Sequence, residues 1–234
     1  DEATWAQANP AYGIRIQRRT VMAEREDLSD EGFARERLGM WDEVSTDAVI
    51  DAATWGRCAD MASQPRDRLA LAVDVQPDRS SASIAVAGRR ADGRWHVEVI
   101  DNRNQVGWVV ERVAGIYRRQ RIRTVVVDRR GPAASLVEPL QAKGLKVTAT
   151  SAEEMAASCG AFFDAVMEDR LRHLDTPVLN AALSVARKRS LGDSWAWHRK
   201  NAAADITPVV ACTLALRGAQ SDRIARRSGG AVFV

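Results

Sequence analysis

The run RLALAVDVQPDRSSASIAVAG, residues 68–88, holds two apolar segments of strand length separated by a polar turn. Asp74 closes the first of them, LALAVDV (69–75), where its neighbours are of the kind that fill a buried strand. A carboxylate in that position either serves a turn or faces a positive charge. A third segment, RWHVEVIDN (94–102), alternates after the turn signal ADGR (91–94), so three consecutive strands with short turns predict an antiparallel meander.

Downstream the period changes. VGWVVERVAGIYRRQR (106–121) has apolar residues at helical spacing, and IRTVVVDRR (122–130) reads as a buried strand. AASLVEPLQAKG (133–144) reads as a helix ending at Gly144, and LKVTAT (145–150) as another strand. Strands alternating with helices predict parallel additions to the sheet. Beyond residue 151 helices dominate: AEEMAASCGAFFDAVMEDRLRH (152–173), PVLNAALSVARKR (177–189) and DITPVVACTLALRGAQ (205–220). The expected architecture is a mixed α/β sheet flanked by helices. The segment 1–65 reads as an N-terminal arm or linker, with a short helix in SDEGFARERLGMW (29–41) capped by Ser29. Residues 66–220 read as the organised domain, and 221–234, with RRSGGA, as a disordered tail.

The 234 residues carry a net charge of +3, with no apolar run long enough for a membrane span, so a membrane protein is not expected. The N-terminus lacks the layout of a signal peptide and begins as if cut from a longer chain. Cys58, Cys159 and Cys212 are odd in number and far apart, which fits buried reduced thiols in a cytosolic setting. The basic residues are mostly arginine and come in clusters, a composition suited to phosphate. Arg89 and Arg90 lie in a basic turn, Arg129 and Arg130 directly follow Asp128, and Trp197, Arg199 and Lys200 belong to DSWAWHRK (193–200), which reads as a hairpin arm. All seven are candidate DNA contacts, against the plainer reading of solvated faces and core tryptophans.

Asp128 ends its apolar run as Asp74 does, and adjacent strands carrying such residues at their carboxyl ends can converge on one site. Asp205 precedes the last apolar helix, where its simplest role is N-cap. Taken together, the three supply hard oxygen ligands of the kind Mg²⁺ or Mn²⁺ prefers. Asp78 lies in the turn after the first strand as a turn residue or an outer-shell group. His173 is a further candidate as phosphate contact or proton shuttle. No G-x-x-x-x-G-K-[ST], G-x-G-x-x-G or G-x-S-x-G pattern occurs, which removes the usual signatures of phosphate-loop nucleotide hydrolysis and acyl transfer.

ANPAYG (8–13), FARERLGMW (33–41), LAVDV, VVVDRRGPA, RLRHLDTPVLNAAL, SLGDSWAWHRK and DITPVVACTLAL follow one another in an order that resembles the C-terminal nuclease domain of the large terminase subunit of tailed bacteriophages. The resemblance covers nearly the whole chain. It implies a ribonuclease H-like fold and an acidic triad of Asp74, Asp128 and Asp205 binding two divalent cations, Mg²⁺ or Mn²⁺. The activity it implies is endonucleolytic cutting of double-stranded viral DNA, with little sequence preference, during genome packaging in the cytoplasm of the infected bacterial host. The partners it implies are the terminase ATPase domain, the small terminase subunit, the portal protein and the procapsid. Two other readings stay open: a junction resolvase or integrase-like protein on the same fold, and a non-catalytic DNA-gripping or portal-docking module.

Overall fold

The computed structural model of the protein describes residues 16–27, 48–199 and 205–228. The chain divides into two compact units, 1–47 and 48–234. In the first, the described segment is a helix, α1 (Arg18–Asp27); the helix expected at 29–41 lies outside the described residues. The second unit begins with the short helix α2 (Ala52–Arg57), whose N-cap Asp51 accepts a bond from the Thr54 amide. Although residues 48–65 contain no strand, Ile50, Trp55 and Cys58 are buried in the core.

The meander is β1 (Asp67–Val75), β2 (Ser81–Arg89) and β3 (Trp95–Asn104), paired antiparallel. Then come α3 (Val109–Arg119), β4 (Thr124–Asp128), a 3₁₀ turn (Pro132–Leu136), α4 (Val137–Ala142) and β5 (Val147–Thr150). Residues 133–144 thus do not form the single helix that their spacing suggests. Pro139 has no amide hydrogen to bond backwards, so it is accommodated in the first turn of a separate helix, where that bond is not needed. Next are α5 (Ala152–Met167), β6 (Leu171–His173), α6 (Pro177–Val185), the hairpin β7 (Lys188–Leu191) and β8 (Ser194–Trp197), and α7 (Thr207–Ser228).

The main sheet has the order β5-β4-β1-β2-β3-β6, with β4 parallel to β1, β5 parallel to β4 and β6 parallel to β3. The expected mixed sheet of antiparallel strands extended by parallel ones is therefore present. The sequence reads β6 as the exit of a helix. Three residues are too few for a period to register, and their strand character comes from pairing with Trp95, His96 and Val97.

Strands β1 and β2 are buried on both sides, which is why they read as continuous apolar runs. Leu71, Val73, Ile84, Val86, Val125 and Val127 face α3 and α4. Ala70, Ala72, Ala85 and Ala87 face α7, α5 and α6. These alanines let α7 approach closely: a Cβ added at Gly218 would lie 2.7 Å from Val126 and 2.8 Å from Ala70. Among the described residues no helix is long and apolar enough to cross a membrane.

Candidate active site

The alternation that puts Ala70 and Ala72 under α7 puts Asp74 on the same face, one step further along β1. Pairing extends that step into a polar row. Ser83 of β2 lies opposite Asp74, Asn102 of β3 lies opposite Ser83, and Thr150 of β5 lies opposite Asp128. Because Val73 pairs with Val127 in the parallel β1–β4 register, the next residues, Asp74 and Asp128, are neighbours at the carboxyl ends of their strands. The apolar sheet ends in a line of oxygen and amide groups.

One side chain joins the two carboxylates. Arg199, just after β8, donates from Nη2 to Asp74 Oδ1 at 3.0 Å and from Nε to Asp74 Oδ2 at 3.3 Å, and its Nη1 lies 3.0 Å from Asp128 Oδ2. Asp74 is fully buried, Asp128 nearly so, and the Arg199 side chain is 12% exposed. Burial pushes the Asp74 carboxyl up to about 6, against the pull of Arg199 and with a contribution from the Asp128 charge. Burial also works against the Arg199 charge, but the two carboxylates outweigh it and raise its pKa. Gly131 packs against Asp128: a Cβ there would stand 3.0 Å from Oδ2, which leaves glycine the residue that lets the chain turn this close to the carboxylate.

Asp205 has different partners. Its Oδ1 accepts the Thr207 amide at 2.8 Å, the bond expected of a cap on α7. Its Oδ2 accepts from Ser81 Oγ at 2.7 Å and from Asn102 Nδ2 at 2.9 Å. Asn102 also donates to Ser83 Oγ, which bonds Thr207 Oγ1 at 2.7 Å. Asp205 is thereby fixed to the polar row through β2, which neighbours Asp74's strand, and β3 beyond it. Among the described residues, no three His, Cys, Asp or Glu side chains are gathered closely enough to hold a metal ion.

The other sequence candidates are distributed unevenly. Arg129 and Arg130 are exposed beside Asp128. Arg89 and Arg90 lie at the opposite end of the sheet, where Arg89 faces Asp67 in register and Arg90 pairs with Asp60 at 2.7 Å and Asp92 at 3.2 Å. Trp197 is buried, donates to Thr213 Oγ1 at 2.9 Å and meets Phe162 edge-on, so it anchors the hairpin to the core. Asp78 is exposed and accepts from the Ser80 amide at 2.9 Å, the bond of a turn aspartate. His173 is buried at the far edge of the sheet, stacked on Trp55 at 3.8 Å with Nε2 3.0 Å from the Trp55 carbonyl. Lys200 lies outside the described residues.

Arg79, which the sequence does not single out, lines the same cleft as Arg189, a member of one of the basic clusters. Arg79, Arg130, Arg189, His198 and Arg199 surround an open cavity of about 560 Å³. Asp128, Arg130, Arg189 and Arg199 line an adjoining one of about 260 Å³. Arg79 donates to the Pro132 carbonyl and Ser135 Oγ. Neither Arg130 nor Arg189 is ion-paired among the described residues. The cleft carries an excess of positive charge above two buried carboxylates, with Glu153 in electrostatic reach of Arg130.

A mixed sheet of this order, antiparallel strands extended by parallel ones and flanked by helices, is the ribonuclease H-like arrangement expected from the sequence. No protein-family model matches the sequence, and no curated protein does. Among solved structures the chain is similar to the large terminase of bacteriophage HK97, with a TM-score of 0.63 and 17% identity over 94% of this chain and 54% of that one. It is also similar to the large terminase nuclease of thermophilic phage G20c, at 0.52 and 12% over 70% of this chain and 95% of that one. A mutant nuclease domain of the bacteriophage Sf6 large terminase subunit, determined with calcium, matches at 0.51 and 13% over 72% and 98%. The chain thus has the fold of large-terminase nuclease domains, and spans about half the length of the HK97 protein.

Proposed function

We propose that the protein is a divalent-metal-dependent endonuclease that cuts double-stranded DNA, with Asp74 and Asp128 as metal-ligating catalytic residues and Asp205 as the third. The observation that carries this is the placement of two buried carboxylates at the ends of adjacent parallel strands around a single guanidinium. Two like charges in a buried site need a cation between them, a place Arg199 takes here, and the donors are the hard oxygens that Mg²⁺ and Mn²⁺ favour. The G20c nuclease has been crystallised with magnesium and with cobalt, and the Sf6 domain with manganese.

Asp74, Asp128 and Asp205 would hold such ions, which would supply Lewis-acid stabilisation of the charge on a phosphodiester under attack. The chain's own residues do the rest. Strand ends hold Asp74 and Asp128 rigidly, and Ser81, Asn102 and the Thr207 amide orient Asp205. Arg79, Arg130 and Arg189 offer phosphate contacts along the cleft, and contacts to phosphate carry no sequence information, which favours cutting with little sequence preference. We place the domain in the DNA-packaging apparatus of a tailed phage, in the cytoplasm of the infected host. Its partners there are the ATPase domain, the small terminase subunit, the portal and the procapsid.

The test is plasmid DNA incubated with Mg²⁺ or Mn²⁺ and analysed by gel. The native chain nicks and linearises it, whereas Asp74→Ala, Asp128→Ala and Asp205→Ala do not while keeping native circular dichroism. Full activity in one variant removes that residue from the site. Activity confined to branched DNA instead identifies a junction resolvase, and metal-independent binding without cutting a gripping module.

A further inference from the structure

Arg199 occupies the space between Asp74 and Asp128, spanning both carboxylates from within the fold. A guanidinium and a metal ion cannot both fill that space, so a metal that binds these carboxylates must displace Arg199. The same side chain also lines the cleft that Arg79, Arg130 and Arg189 share. A displaced guanidinium there joins three others that make no direct ion pair among the described residues, although Glu153 lies within electrostatic reach of Arg130, and an anion would stabilise it.

We propose that Arg199 is an exchangeable counter-ion: it neutralises Asp74 and Asp128 in the metal-free protein and becomes a phosphate contact when a divalent cation takes its place. The proposal rests on the metal-dependent reading above and adds an order of events to it. Metal binding releases the arginine, and the released arginine strengthens the grip on nucleic acid, so the two ligands bind cooperatively. A planar fork that spans two carboxylates is equally suited to two phosphate oxygens, which a lysine cannot reproduce.

The experiment uses the full 234-residue chain as wild type, Arg199→Gln, Arg199→Lys and Asp74→Asn. Calorimetric titration with Mn²⁺ alone, without DNA, reads the competition. Loss of the arginine tightens Mn²⁺ binding by about tenfold or more, with the lysine variant in between. Should Arg199→Gln fold poorly in EDTA, thermal unfolding of Arg199→Lys with and without Mn²⁺ keeps the comparison: the variant recovers wild-type stability with the metal but not without it. Fluorescence anisotropy of a labelled random-sequence duplex reads the second half. In EDTA wild type and Arg199→Gln bind alike; in Ca²⁺ the wild type binds more tightly, with a salt slope steeper by about one.

Mn²⁺ binding that is lost in Asp74→Asn but unchanged or weakened in Arg199→Gln overturns the exchange and leaves the metal site standing. Equal weakening of DNA binding in EDTA and Ca²⁺ also overturns it. No Mn²⁺ binding sensitive to Asp74→Asn, in wild type or Arg199→Gln, overturns both the exchange and the proposed function.

Discussion

At the scale of the residue, burial decides what each polar group can do. His173 is enclosed by Trp55, and burial lowers its pKa below the usual 6.5, against the hydrogen bond to the Trp55 carbonyl. The sign of the linkage follows. Below about 6.5 the unfolded chain takes up a proton that the folded chain resists, so this group makes stability fall as the pH drops through that window. A ring-proton NMR titration is expected to give His173 a midpoint under 6.5; a midpoint above it contradicts the buried neutral ring. The three thiols follow the same rule. Burial pushes Cys159 up to about 12 and raises Cys58 and Cys212, so none presents a reactive thiolate at neutral pH. A thiol-reactive dye is expected to label the folded protein slowly at all three and the unfolded chain promptly; rapid labelling of the native state contradicts this packing.

At the scale of the element, the closest approach is between α7 and the sheet, and it depends on the small residues beneath the helix. Gly218→Ala pushes a methyl group against Val126 and Ala70 at less than 3 Å. Overpacking of this kind costs about 1–3 kcal/mol, which outweighs the ~1 kcal/mol that alanine gains over glycine in a helix. The midpoint of thermal unfolding is expected to fall, and a rise would mean that α7 stands further off. The capping box of α5 is a second local device: Ser151 accepts the Glu154 amide while Glu154 accepts the Ser151 amide. Ser151→Ala is expected to cost about 1 kcal/mol in denaturant unfolding; no change would show that the helix start is held by packing alone.

What the sequence reveals of the site follows from this scale. Asp74 and Asp128 are legible because each interrupts an apolar run at a strand end, and Asp205 because it precedes an apolar helix. Ser83 and Asn102 are not, since their place beside Asp74 is set by cross-strand register, which no single segment carries. A hint exists in SSAS (80–83), where small polar residues open the second strand on the face that Asp74 shares. Arg199 reads as a DNA contact in DSWAWHRK, yet its partner Asp74 is 125 residues away. Only the fold brings them together. Arg89 and Arg90 look as basic as Arg129 and Arg130 along the chain, and are separated from them by the length of a strand.

At the scale of the whole molecule, the sheet gathers negative charge at one end and surrounds it with arginines, and the proposed function puts a divalent cation there. A ligand that binds the folded state alone stabilises it by about 2.7 kcal/mol at a hundredfold excess over Kd. Mn²⁺ is therefore expected to raise the unfolding midpoint of the native chain, EDTA to reverse the rise, and Asp74→Asn to abolish it; an equal rise in the variant would place the metal elsewhere. The most direct measurement is anomalous scattering from crystals soaked in saturating Mn²⁺. A peak bonded to both Asp74 and Asp128 is expected, with Arg199 moved off the two carboxylates. Arg199 still bridging them, with no peak between, would contradict the proposed metal site.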